Sequence, residues 1–71
     1  MIKEVINKLN ELYEANSYTN AKRVTVDYAE NAGVIVVNVC GNMAVIKHLE
    51  RFTDYGLMME IIETVDRLYR S

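Results

Sequence analysis

Apolar residues recur at Ile2, Val5, Ile6, Leu9, Leu12 and Tyr13, the three-and-four spacing of an amphipathic helix, while Lys3, Glu4, Asn7, Lys8 and Glu11 fill the opposite face. This predicts a helix from Ile2 to about Ala15. The stretch Asn-Ser-Tyr-Thr-Asn-Ala over 16–21 carries no apolar period and reads as a connection. From Lys22 to Ala29 the period changes to two, with Val24, Val26 and Tyr28 alternating against Arg23, Thr25 and Asp27, as a half-buried strand requires. Glu30 to Gly33 is a turn into Val34–Cys40, a run rich in β-branched residues. Gly41-Asn42 suits a two-residue hairpin turn of type I′ or II′, after which a third strand runs from Met43 to about Phe52. The period returns to three and four at Met58, Ile61, Ile62, Val65, Leu68 and Tyr69, predicting a last helix from about Asp54 to Tyr69. Thr53 and Asp54 supply N-cap chemistry for it, and Arg67 and Arg70 lie near its negative end.

A competing reading makes Met43 to Tyr55 a helix, with Asn42 as N-cap, Val45, Ile46, Leu49 and Phe52 as its stripe and Gly56 as its stop. That reading leaves the last helix poorly capped. The preferred fold class is therefore α+β, one domain over residues 1–71. Its order is helix, three-stranded antiparallel meander, helix (αβββα), with both helices packed on one sheet face.

A first turn centred on Asn31-Ala32 sets Val26 opposite Val37 and Val24 opposite Val39. A second turn at Gly41-Asn42 sets Cys40 opposite Met43, Asn38 opposite Val45 and Val37 opposite Ile46. One face then collects Val24, Val26, Tyr28, Ile35, Val37, Val39, Ala44 and Ile46, the expected core face. The other collects Arg23, Thr25, Asp27, Ala29, Val34, Val36, Asn38, Cys40, Met43, Val45, Lys47 and Leu49. Val34, Val36, Cys40, Met43, Val45 and Leu49 make that second face half apolar, enough to mark an interaction site if nothing covers it. The alternative is a closed monomer with one helix on each sheet face.

At 71 residues, with a single cysteine, the chain has no disulfide and no Cys/His cluster for a structural zinc, so self-association is the remaining common aid to a small core. A net charge of -2 supplies no positive field for nucleic acid or an anionic membrane. No apolar run approaches a membrane span or a signal core, and a cytoplasmic protein is expected.

Motifs for chemistry are sparse. Cys40 and His48, the sole residues of their types, fall on opposite faces in the expected register, which argues against a nucleophile pair and for a structural thiol in a small-residue position. His48 and Glu50 share a strand face but lack a third metal ligand. Glu11 with Glu14, and Glu60 with Glu63, read as solvated helix faces. The three glycines are scattered, so no phosphate-cradling loop is present. No enzymatic activity, metal, cofactor or small-molecule substrate is predicted. Tyr18 in the connection and Tyr55 at the helix start belong to no core stripe and are candidate interface anchors.

The order helix, three strands, helix is similar to that of the double-stranded RNA-binding domain. The resemblance is in order alone. That family meets phosphates with lysines at the start of its last helix, whereas the matching stretch Thr53-Asp54-Tyr55-Gly56-Leu57-Met58-Met59-Glu60 holds no base. Very small, mildly acidic, motif-free domains of this arrangement also look like accessory proteins of phages and mobile elements, including inhibitors that occupy a host protein's surface. The expected function is a non-enzymatic interaction module that binds a protein partner or a second copy of itself through the second sheet face. The alternative is nucleic-acid binding through the sheet, with Arg23, Lys47 and Arg51 on phosphates.

Overall fold

The computed structural model describes residues 2–15 and 24–70. Helix α1 spans Ile2–Ala15, and strands β1 Val24–Ala29, β2 Val34–Val39 and β3 Asn42–Ile46 form an antiparallel sheet in the order β1-β2-β3. A 3₁₀ turn at Leu49–Arg51 leads to helix α2, Asp54–Arg70. The expected αβββα order is what the chain adopts, with both helix ranges within a residue of expectation. The expected connection over 16–21 and the strand start at Lys22-Arg23 lie outside the described residues.

The four-residue loop 30–33 closes β1 onto β2, with the N–H groups of Ala32 and Gly33 donating to the Ala29 carbonyl at 3.1 and 2.9 Å. Gly33 takes φ 67° there, a left-handed conformation that costs glycine nothing. The resulting register, Val26 opposite Val37 and Val24 opposite Val39, is the expected one.

The second turn departs from expectation. It is Cys40-Gly41, with positive φ at both residues, 53° and 89°, as a type I′ turn demands. Asn42 therefore pairs with Val39, Val37 with Ala44 and Val36 with Val45. The pairing has slipped by two residues relative to a Gly41-Asn42 turn. Because side chains alternate with period two, that slip leaves the residues that stay paired in β2 and β3 on their expected faces. Glycine at the second turn position and Asn38 Oδ1, which accepts the Gly41 N–H at 3.1 Å, hold the turn where it is. The same register sets Ile46 opposite Ile35, both in the core.

Strand β3 is also shorter than expected. His48 adopts φ 57° and ψ 49°, which ends the extended run and turns the chain into the 3₁₀ segment. Leu49 is carried into the core, 7% exposed, instead of lying on the outer sheet face. The competing helix over Met43–Tyr55 does not form; one 3₁₀ turn is all the helical structure between β3 and Asp54.

Val5, Ile6 and Leu9 of α1 and Leu57, Ile61 and Val65 of α2 pack on Val24, Val26, Ile35, Val37, Val39 and Ile46. Helix α1 lies against β1, α2 against β2 and β3, and the helices touch each other, so both share one sheet face. Thr53 caps α2, its Oγ1 accepting the Gly56 N–H at 3.0 Å. The stripe of α2 is rotated slightly from expectation, since Leu57 is buried and Tyr69 is exposed. Thr64 is buried as well, its hydroxyl donating to the Glu60 carbonyl at 2.8 Å.

Candidate interaction surface

The outer sheet face is built in cross-strand rows. Thr25, Asn38 and Met43 form one row, Asp27, Val36 and Val45 the next, and Ala29 and Val34 a third. Among the described residues no helix packs on this face. Met43 is 61% exposed and Val45 48%, while Val34 and Val36 in the central strand are partly exposed. Strands about 4.8 Å apart and six, six and five residues long give a face of roughly 300 Å². Its apolar part, Val34, Val36, Met43 and Val45, is smaller than the largest apolar patches seen on monomers.

Of the expected site residues, the structure brings Val34, Val36, Met43 and Val45 together here. Cys40 is not among them. It occupies the turn and is exposed, so the structural-thiol expectation fails because the turn forms one residue earlier than expected. Leu49 is removed by the early end of β3. Tyr55, 72% exposed, sits on α2 and hence on the opposite side of the sheet. Tyr18 lies outside the described residues.

The two sheet edges differ. At the outer edge of β1, Asn10 of α1 donates its Nδ2 to the Val26 carbonyl at 3.0 Å and accepts the Val26 N–H on Oδ1 at 3.2 Å. A side-chain amide thus stands in for a neighbouring strand. Sequence periodicity gave no reason to single out Asn10, because a polar residue flanking an apolar stripe looks like any solvated position. The edge of β3 has no such cover among the described residues. The pair flanking a two-residue I′ turn, Val39 and Asn42, is hydrogen-bonded, and bonded pairs then alternate along the hairpin. Asn42, Ala44 and Ile46 therefore turn their N–H and C=O groups toward β2, and Met43 and Val45 turn theirs outward.

Elsewhere the arrangement offers little for chemistry. His48 Nδ1 lies 3.8 Å from Glu50 Oε2, both side chains exposed, on the 3₁₀ approach and not on a strand face as expected. Among the described residues no three His, Cys, Asp or Glu side chains are grouped to hold a metal. No helix among them is long and apolar enough to cross a membrane. A cleft of about 540 Å³ opens where the 3₁₀ turn meets α1 and α2, floored by Ile2, Tyr28, Leu49, Phe52 and Leu57 and rimmed by Lys3, Glu50 and Asp54. Lys3 is paired with Glu30 at 3.3 Å, and the lining includes neither Cys40 nor His48. Lys47 is exposed just past the end of β3 and Arg51 is exposed in the 3₁₀ turn, so neither extends the outer face as a basic row. Arg23 lies outside the described residues. Tyr13 is partly buried against the core, and burial raises its phenol pKa above 10.0.

No protein-family model matches the chain, and no curated protein or solved structure matches it either.

Proposed function

We propose that this chain is a non-enzymatic interaction module that presents its outer sheet face to a protein partner. The observation that supports the reading is the apolar block of exposed Met43 and Val45 with partly exposed Val34 and Val36 on a sheet whose other face takes both helices. A three-layer arrangement would cover such a face; here the chain spends both helices on the same side. Asp27 and Thr25 give the block a polar border along β1, the anatomy of a small interface with an apolar centre. An accessory or inhibitor protein of a phage or mobile element would act in this way, by occupying a partner's surface, and nothing in such a role calls for a catalytic group.

The test is affinity capture with the immobilised protein and its Val36→Lys variant. Position 36 is central in the block and outside the core, so the variant is expected to keep its unfolding free energy within about 1 kcal/mol of the parent. Proteins retained by the parent and lost by the variant support the reading, and identical capture by the two refutes it. If retained material is nucleic acid and is released by moderate salt, phosphate contact and not the apolar block is responsible.

A further inference from the structure

We infer that the chain self-associates through the free edge of β3, pairing antiparallel with β3 of a second copy to make one continuous six-stranded sheet. Three observations converge on this occupant. The two edges are treated unequally: β1 is capped at Val26, the middle one of its outward-facing residues, by the Asn10 amide, while Met43 and Val45 point their backbone groups outward with no partner among the described residues. Edge strands are ordinarily protected by charge, proline or a bulge, and Asn42–Ile46, the sequence Asn-Met-Ala-Val-Ile, carries none of these.

The strand is also complementary to itself. With Ala44 on a two-fold axis, Met43 of each copy faces Val45 of the other, and the two pairs exchange about four backbone hydrogen bonds. Met43 and Val45 then meet on the outer face as apolar neighbours, and Ala44 meets Ala44 with minimal bulk. The nearest charge, Lys47, lies about 20 Å from its symmetry mate, so no like charges oppose each other.

The third observation is area. One outer face of roughly 300 Å² is well short of the about 800 Å² that each partner contributes to a stable interface. Edge pairing sets two such faces side by side on one surface. For this consequence the inference rests on the open-face reading; its geometry does not, since edge pairing uses the backbone of Met43 and Val45 and face binding uses the side chains of Val34 and Val36.

The experiment is sedimentation equilibrium from about 1 µM to 1 mM, with residue-resolved amide hydrogen exchange at both ends of the series. The expected result is a dimer at high concentration in which the Met43 and Val45 amides exchange at least roughly tenfold more slowly than in the dilute monomer. Val45→Pro removes an outward N–H without touching the bonds to β2 and should be monomeric throughout, while Val36→Lys should still dimerise. A monomer at every concentration overturns the inference. So does a dimer whose Met43 and Val45 amides exchange freely, or one that survives in folded Val45→Pro. Should Val45→Pro fail to fold, exchange in the parent protein decides alone. Dissociation of the dimer by Val36→Lys, with free Met43 and Val45 amides, would mean face-to-face assembly, sinking edge pairing while leaving the open-face reading intact. A protected edge together with unaltered capture by Val36→Lys would do the reverse.

Discussion

Replacing Asn10 by alanine tests how the helical layer is fastened to the sheet. The side chain makes two hydrogen bonds to Val26, at 3.0 and 3.2 Å, across a gap of 16 residues. Each such bond contributes about 1 kcal/mol net, so losing both costs about 2 kcal/mol. Two effects offset part of that cost. Alanine is a better helix former than asparagine by about 0.6 kcal/mol, and water can reach a part-buried strand edge. The net loss should be about 1 to 2 kcal/mol, between about a fifth and two thirds of the roughly 3 to 5 kcal/mol that a core of this size supplies. Asn7→Ala is the control. Asn7 is an exposed residue on the same helix, so its replacement reports the propensity gain without the lost bonds. In urea titrations followed by circular dichroism, with a slope of about 1 kcal/mol/M, the Asn10→Ala midpoint should fall by about 1 to 2 M. The Asn7→Ala midpoint should rise slightly. Equal midpoints for the two variants would refute the fastening role of Asn10.

Three further outcomes are expected. Cys40→Asn places a residue suited to φ 53° at the first position of the I′ turn and should stabilise the protein by about 0.5 to 1 kcal/mol, raising Tm by roughly 4 °C; an unchanged or lower Tm counts against the turn assignment. Ile61→Ala empties a fully buried position between α2 and the sheet and should cost about 2 to 5 kcal/mol, enough to populate unfolded protein in dilute buffer, which the dispersion of a proton spectrum reports; a loss below about 1 kcal/mol would mean that the core is not packed as described. Burial holds the folded Tyr13 phenol above 10.0, so below that pH both states are protonated and the group has no effect on stability. Above it the unfolded chain ionises first, and stability falls as pH rises toward the folded pKa. Tyr13→Phe should therefore reduce the decline in unfolding midpoint between about pH 9 and 11, and identical declines would argue against a buried phenol.

The fold was legible because its period changes are clean. The switch from three-and-four spacing to alternation at Val24, and back at Leu57, indicates the two helices and the first two strands without reference to any tertiary contact, and the capping of the last helix decides the third strand over the competing helix. Faces were legible for a subtler reason. Displacing the second turn by one residue changes the register by two, and parity survives a change of two, so Val36 and Val45 stay outside and Val37 and Ala44 inside. What could not be read was backbone sign. Nothing in the side chain of Cys40 or His48 announces a positive φ, yet the first displaces the turn and removes a thiol from the face, and the second ends β3 and turns Leu49 inward. The outer face consequently lost its two end members and kept its centre. Asn10 was invisible for another reason: its role depends on which strand edge α1 happens to flank, a tertiary fact with no local trace.

The two short turns bear on how the chain reaches this fold. Loops of four and two residues close β1 on β2 and β2 on β3, so the whole sheet is assembled from neighbours in sequence and loses little loop entropy. Helix α2 follows β3 after a single 3₁₀ turn and docks on the strands just formed. Helix α1 must reach back across the connection to β1 and also meet α2 at the far end of the chain. A folding nucleus of hairpins plus α2, with α1 arriving late, is the order that this topology favours, and substitutions in α1 should then speed unfolding far more than they slow folding. On that order the β1 edge is the last part of the molecule to be closed and the first to reopen. A chain briefly losing its first helix would uncover Val26 on β1 in addition to the bare edge of β3.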